Sequence, residues 1–89
     1  MRAVITVIGN DTMSIIAKVS TYLSQCKINI LDISQTIMQD LFTMIMLVDL
    51  EKSEKPFDAL LSGLDALAEE IGVTIKVQHE DIFNSMHRI

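Results

Sequence analysis

Two long apolar runs, residues 28–38 and 41–50, are separated by only Gln39-Asp40. A connector that short joins antiparallel strands, because parallel neighbours need a crossover of a dozen or more residues. In the second run Phe42, Met44, Met46, Val48 and Leu50 alternate with Thr43, Ile45, Leu47 and Asp49. Apolar density on both faces suits a central strand, one face in the core and the other available to an interface. The first run breaks parity: Ile28 and Ile30 share one face, whereas Leu31, Ile33 and Ile37 fall on the other. Either both faces are partly covered or a bulge shifts the register. The direct hairpin also argues against a doubly wound parallel sheet, whose connectivity is different.

The flanking segments complete the pattern. Ala3, Ile5 and Val7 line one face of a short first strand, and Val4, Thr6 and Ile8 the other. Gly9-Asn10-Asp11 stops it, and Asp11 or Thr12 can cap the helix that follows. From Met13 to about Gln25, Ile15, Ile16, Val19, Tyr22, Leu23 and then Cys26 recur at helical spacing, with Lys18, Ser20, Ser24 and Gln25 on the wetter side. After the hairpin comes a charged connection, Glu51 to Lys55, and Pro56 is expected in the first turn of a second helix. Phe57, Leu60, Leu61, Leu64, Leu67, Ala68 and Ile71 form its stripe. Gly63 lowers its propensity, and Gly72 is a natural left-handed terminator. Val73, Ile75 and Val77 then alternate as a fourth strand.

The order β-α-β-β-α-β predicts an α/β fold of split-βαβ, ferredoxin-like type: a four-stranded antiparallel sheet with two helices on one face. The other face needs cover, and Val4, Ile8, Ile45 and Leu47 are candidates to meet a partner there. The domain is expected over residues 1–80. Residues 81–89 form a C-terminal extension in which Ile82, Phe83, Met86 and Ile89 fit a short helix packing on the domain or its neighbour.

Eighty-nine residues fill one core, not two, and a domain of this size buries only roughly 60–65% of its unfolded surface. With 49% hydrophobic but only 4% aromatic residues, the core must be aliphatic and Met-rich, and oligomerisation is a natural further source of stability. A net charge of −5 and the lack of a dense basic patch argue against nucleic acid and against anionic membrane. Cys26 is the only cysteine, which excludes an intramolecular disulfide and suits a reducing interior. The opening MRAVITVIG lacks the long apolar region of a secretion signal, and no run spans a bilayer, so a cytoplasmic location is expected.

No reactive constellation is visible, and no enzyme activity, metal or cofactor is expected. His79 and His87, even with Glu80 and Asp81, lack a ligand pattern, and an ordinary acidic turn explains them. Cys26 reads as a small core residue. Met44 and Met46 have strand spacing and read as core or dimer face. Asp32 and Gln35 read as solvent-facing or edge residues. The polar segment Gly9-Asn10-Asp11-Thr12-Met13-Ser14 is different, since it joins a strand to a helix N-terminus, where free amides and the helix dipole favour carboxylates. Asn10 and Asp11 can take a ligand's ammonium or hydroxyl while amides around Thr12 to Ser14 meet its carboxylate. A purely structural use, Gly as bend and Asp or Thr as cap, explains the segment equally simply. Asn29 can face the same pocket or end a turn through a side-chain bond.

Together, the element order, Gly9-Asn10-Asp11-Thr12-Met13-Ser14-Ile15-Ile16 and Lys27-Ile28-Asn29-Ile30-Leu31-Asp32-Ile33 resemble an ACT domain. The resemblance covers about residues 2–80 and is to the small stand-alone bacterial and archaeal proteins of that family. It implies a regulatory domain that binds amino acids or other small effectors at a dimer interface. It also implies ligand contacts from Gly9 through Met13, less uniformly from Asn29, and side-by-side dimers joined along the second strand. Ser14 departs from the family's usual Gly at the helix opening, narrowing the pocket or adding a hydroxyl. Lys27 replaces the small residue or Gly that often precedes Asn-Ile; it attracts an acidic ligand or points into water. Two regulatory classes follow: a homodimer sensing an amino acid or related effector, and a ligand-independent module that regulates a partner protein.

Overall fold

The computed structural model describes residues 1–10 and 12–80, with the backbone alone at Thr12. Six elements follow in the expected order: β1 (Arg2–Gly9), α1 (Thr12–Gln25), β2 (Asn29–Met38), β3 (Leu41–Asp49), α2 (Phe57–Ile71) and β4 (Thr74–His79). The strands form one antiparallel sheet of order β2-β3-β1-β4, so β3 and β1 are central and β2 and β4 are edges. This is the βαββαβ ferredoxin-like arrangement, with both helices on one face.

Residues paired across an antiparallel ladder point to the same face, so the register sorts the side chains. Ala3, Ile5 and Val7 pair with Val48, Met46 and Met44, and all six are buried beneath the helices. Ile15, Val19 and Leu23 descend from α1, Cys26 from the turn after it, and Leu60 and Leu64 from α2 to close this core. Val4, Thr6 and Ile8 pair with Leu47, Ile45 and Thr43 on the opposite face. Of the four apolar residues expected there, Val4 is already buried at 4% exposed, and the uncovered patch centres on Ile8 and Ile45, each 37% exposed.

The irregular parity of β2 is resolved by a bulge. Register shifts between Ile30, opposite Val48, and Asp32, opposite Leu47, leaving Leu31 as the extra residue. Beyond the bulge Ile33 pairs with Met46 and Ile37 with Phe42, so both rejoin Ile30 on the helix-side face. One extra residue thus repairs a pattern that otherwise switches faces.

The helix ends have separate causes. Pro56 precedes α2 rather than entering its first turn: φ is −64°, ψ is 157°, and its carbonyl accepts the Leu60 N–H at 3.0 Å. The extended ψ places it at the cap, where its missing N–H costs nothing. Gly72 is left-handed at φ 70°, and the Val73 N–H reaches back to the Ala68 carbonyl at 2.9 Å. The end of α1 repeats this closure: Ile28 donates to the Leu23 carbonyl at 3.0 Å and Lys27 to that of Ser24 at 3.1 Å. Lys27 therefore occupies the left-handed position usually given to Gly, with φ 62°. Gly63 has a packing reason, since a Cβ there would lie 2.6 Å from the Tyr22 ring carbon Cζ. Its absence lets α1 rest against α2.

Candidate functional site

The first turn lies where β1 passes under the start of α1. Gly9 is buried, and a Cβ on it would stand 2.5 Å from Val73 Cγ1 and 2.7 Å from Ile15 Cδ1. Glycine is thus required there by packing, whatever else approaches its backbone. Asn10 is exposed at a bend, Met13 is 81% exposed on the first turn of α1, and Ser14 is half-buried. Asp11 lies outside the described residues, as does the Thr12 side chain, so the expected acidic contact and cap carry no geometry here.

Asn29 does not join this turn within one chain. It pairs with Asp49, which pairs with Arg2, whereas Gly9 pairs with Phe42, which pairs with Ile37. The two candidates therefore occupy opposite ends of the sheet, about seven strand residues or ~23 Å apart. Sequence spacing could not reveal this, because it depends on which end of β2 abuts which end of β1.

Around Asn29 the structure forms a groove of about 580 Å³ between the last turns of α1 and the β3–α2 connection, lined by Ser20, Ser24, Lys27, Asn29, Lys52 and Glu54. A second recess of about 490 Å³ adjoins it, sharing Lys27, Asn29 and Lys52 and adding Asp49 and Glu51. The Asp49 carboxylate accepts the Glu51 N–H at 3.0 Å and so shapes its own turn, while Glu54 is tied to α1 through its N–H to the Cys26 carbonyl at 3.1 Å. Ser20, Ser24 and Lys52 carried no signal beyond a wet helix face and a charged loop. Asn29 and the odd residue at position 27 were what pointed here.

Cys26 is buried at 2% exposed beside the core. Asp32 and Gln35 are exposed along β2. Tyr22 meets Lys55, whose ammonium lies 3.5 Å from the phenol oxygen and 5.1 Å from the ring centre. Burial, followed by a hydrogen bond with Cys26, raises the Tyr22 phenol above its ordinary pKa of 10.0. Among the described residues no three His, Cys, Asp or Glu side chains gather to hold a metal ion, and no helix is long and apolar enough to cross a membrane. His87 and Asp81 lie outside the described residues.

Comparison with known proteins places this architecture. The profile of the ACT domain matches residues 2–78. A UPF0237 protein of Clostridium acetobutylicum is 58% identical over 89 residues, covering 100% of both chains. A UPF0237 protein of Methanococcus maripaludis is 57% identical over 88 residues, covering 99% of this chain and 98% of its own. Among solved structures, an ACT domain protein from Streptococcus pneumoniae superposes with a TM-score of 0.81 at 36% identity, covering 93% of each chain. ACT domains are non-catalytic. From its profile, its relatives and its βαββαβ sheet alike, this chain belongs to the ACT domain family, as a small UPF0237-type protein of regulatory character.

Proposed function

We propose that the chain senses a small effector, an amino acid or a close relative, as a cytoplasmic homodimer joined edge to edge through β2. The observation that carries this reading is the outer side of β2, a ten-residue edge strand on which Leu31, Ile33, Ile37 and Met38 are 40–68% exposed. An apolar edge of that length invites another strand. A two-fold axis across its middle would join two four-stranded sheets into one, with all helices on the same side. Antiparallel pairing then sets Asn29 of the partner subunit beside the Met38 end of this chain, level with Gly9. Three strand spacings, about 14 Å, separate them laterally. A ligand at that junction would reach both candidates that a single chain holds apart.

In this reading Asp11 recognises the ligand's ammonium or hydroxyl, and backbone amides at Thr12 and Met13 meet its acidic end. Gly9 and Ser14 shape the turn, and Asn10 and Asn29 add polar contacts. The test is identification by mass of small molecules retained on the purified protein, then calorimetry on Asp11→Asn. Loss of a charge-assisted contact worth about 1.5–3 kcal/mol should weaken binding roughly tenfold to more than a hundredfold. Unchanged affinity in a folded, dimeric variant would remove Asp11 from the site.

A second reading, a ligand-independent module acting on a regulated protein, draws on the open sheet face with Ile8 and Ile45 each 37% exposed. Absence of any retained or binding small molecule, with loss of a partner on Ile45→Lys, would favour it.

A further inference from the structure

The groove at the start of β2 carries charge that the fold does not use. Arg2 pairs with Glu80 at 2.7 Å and Lys18 with Glu70 at 3.9 Å, and the Lys55 ammonium lies over the Tyr22 ring. Among the described residues neither Lys27 nor Lys52 makes an ion pair, although both border the groove and its adjoining recess. Their companions in the groove are the hydroxyls of Ser20 and Ser24 and the amide of Asn29, each able to donate a hydrogen bond, the side chains of Ile28 and Ile30, and the single carboxylate of Glu54. Asp49 and Glu51 line the adjoining recess with the same two lysines, and the Asp49 carboxylate is occupied by the Glu51 N–H at 3.0 Å. Two ammoniums and three further donors thus line one groove of about 580 Å³, ample for the side chain of an amino acid.

We propose that this groove receives the side-chain carboxylate of an acidic amino acid, held by Lys27 and Lys52, so that the effector is of the aspartate or glutamate type. The assignment rests on the effector reading above, in which the ligand's α-groups are met by the first turn of the neighbouring protomer. Two ammoniums without internal partners favour a carboxylate over its neutral amide by charge alone, since amide and acid are nearly isosteric.

The experiment is calorimetry on the full chain with four probes: L-glutamate, L-glutamine, L-aspartate and L-asparagine. The acid of at least one pair should bind tenfold or more tightly than its amide. Lys27→Asn keeps a residue tolerant of left-handed backbone while removing the charge, and Lys52→Gln removes the other. Each should bring the acid to within about threefold of the amide, with circular dichroism and light scattering unchanged. Lys76→Gln, whose parent pairs with Thr6 on the open sheet face, controls for general charge and should preserve the preference. Equal binding of acid and amide by the unmodified protein overturns the proposal while leaving the effector reading in place. So does a preference that survives in both groove variants. Binding of none of the four probes, with a different small molecule retained on purification, also overturns the acidic class alone; no ligand by either route overturns the effector reading itself.

Discussion

Lys27→Gly should stabilise the protein, and the magnitude follows from one dihedral angle. Lys27 closes α1 at φ 62°, where a Cβ crowds the following carbonyl. That conformation costs a non-glycine residue about 1–2 kcal/mol. Glycine removes the strain but adds unfolded-state freedom worth about 0.5–1 kcal/mol. The difference favours the variant by about 0.5–1 kcal/mol, and for a chain of this length each kcal/mol moves Tm by about 4–8 °C. The rise should therefore be about 2–8 °C, read by circular dichroism at matched protein concentration, since the proposed dimerisation would couple Tm to concentration. Lys27→Ala is the necessary control, because it discards the same charge while keeping the Cβ. If Lys27→Gly melts no higher than Lys27→Ala, the strain argument fails. If it does melt higher, a residue costly to the fold is retained where an acidic ligand would need it, a trade expected of a site rather than of a turn.

Two further outcomes test the packing and the edge. Gly9→Ala should destabilise by about 1–3 kcal/mol in urea, because its Cβ would press on Val73 and Ile15 side chains at 2.5 and 2.7 Å; a neutral result would mean that both yield. Light scattering should return twice the 10.0 kDa chain mass for the parent, as the proposed dimer requires, and the monomer mass for Ile33→Asp on the exposed edge of β2; a variant that stays dimeric would move the interface away from β2.

Much of the fold was legible because it is written in local periodicity. The two-residue hairpin dictated antiparallel neighbours, the stripes of Ile15, Val19 and Leu23 and of Leu60 and Leu64 named the helix faces, and Gly72 marked its own turn. The bulge at Leu31 was visible only as one of two explanations for a broken alternation. Choosing between them needs the partner strand, since Ile33 joins the face of Ile30 only by pairing with Met46. Gly63 illustrates the same limit: a weak helix former in sequence, it is the space that Tyr22 occupies.

The polar candidates depended on tertiary structure more heavily. Sequence by itself determined that a polar turn precedes α1 and that Lys27-Ile28-Asn29 opens β2, because turn chemistry and strand starts are local properties. Only the tertiary structure decided that these two places stand at opposite ends of one sheet. It alone brought Ser20, Ser24 and Lys52 around Asn29, because distance across a sheet is set by strand order and register, which no single segment encodes.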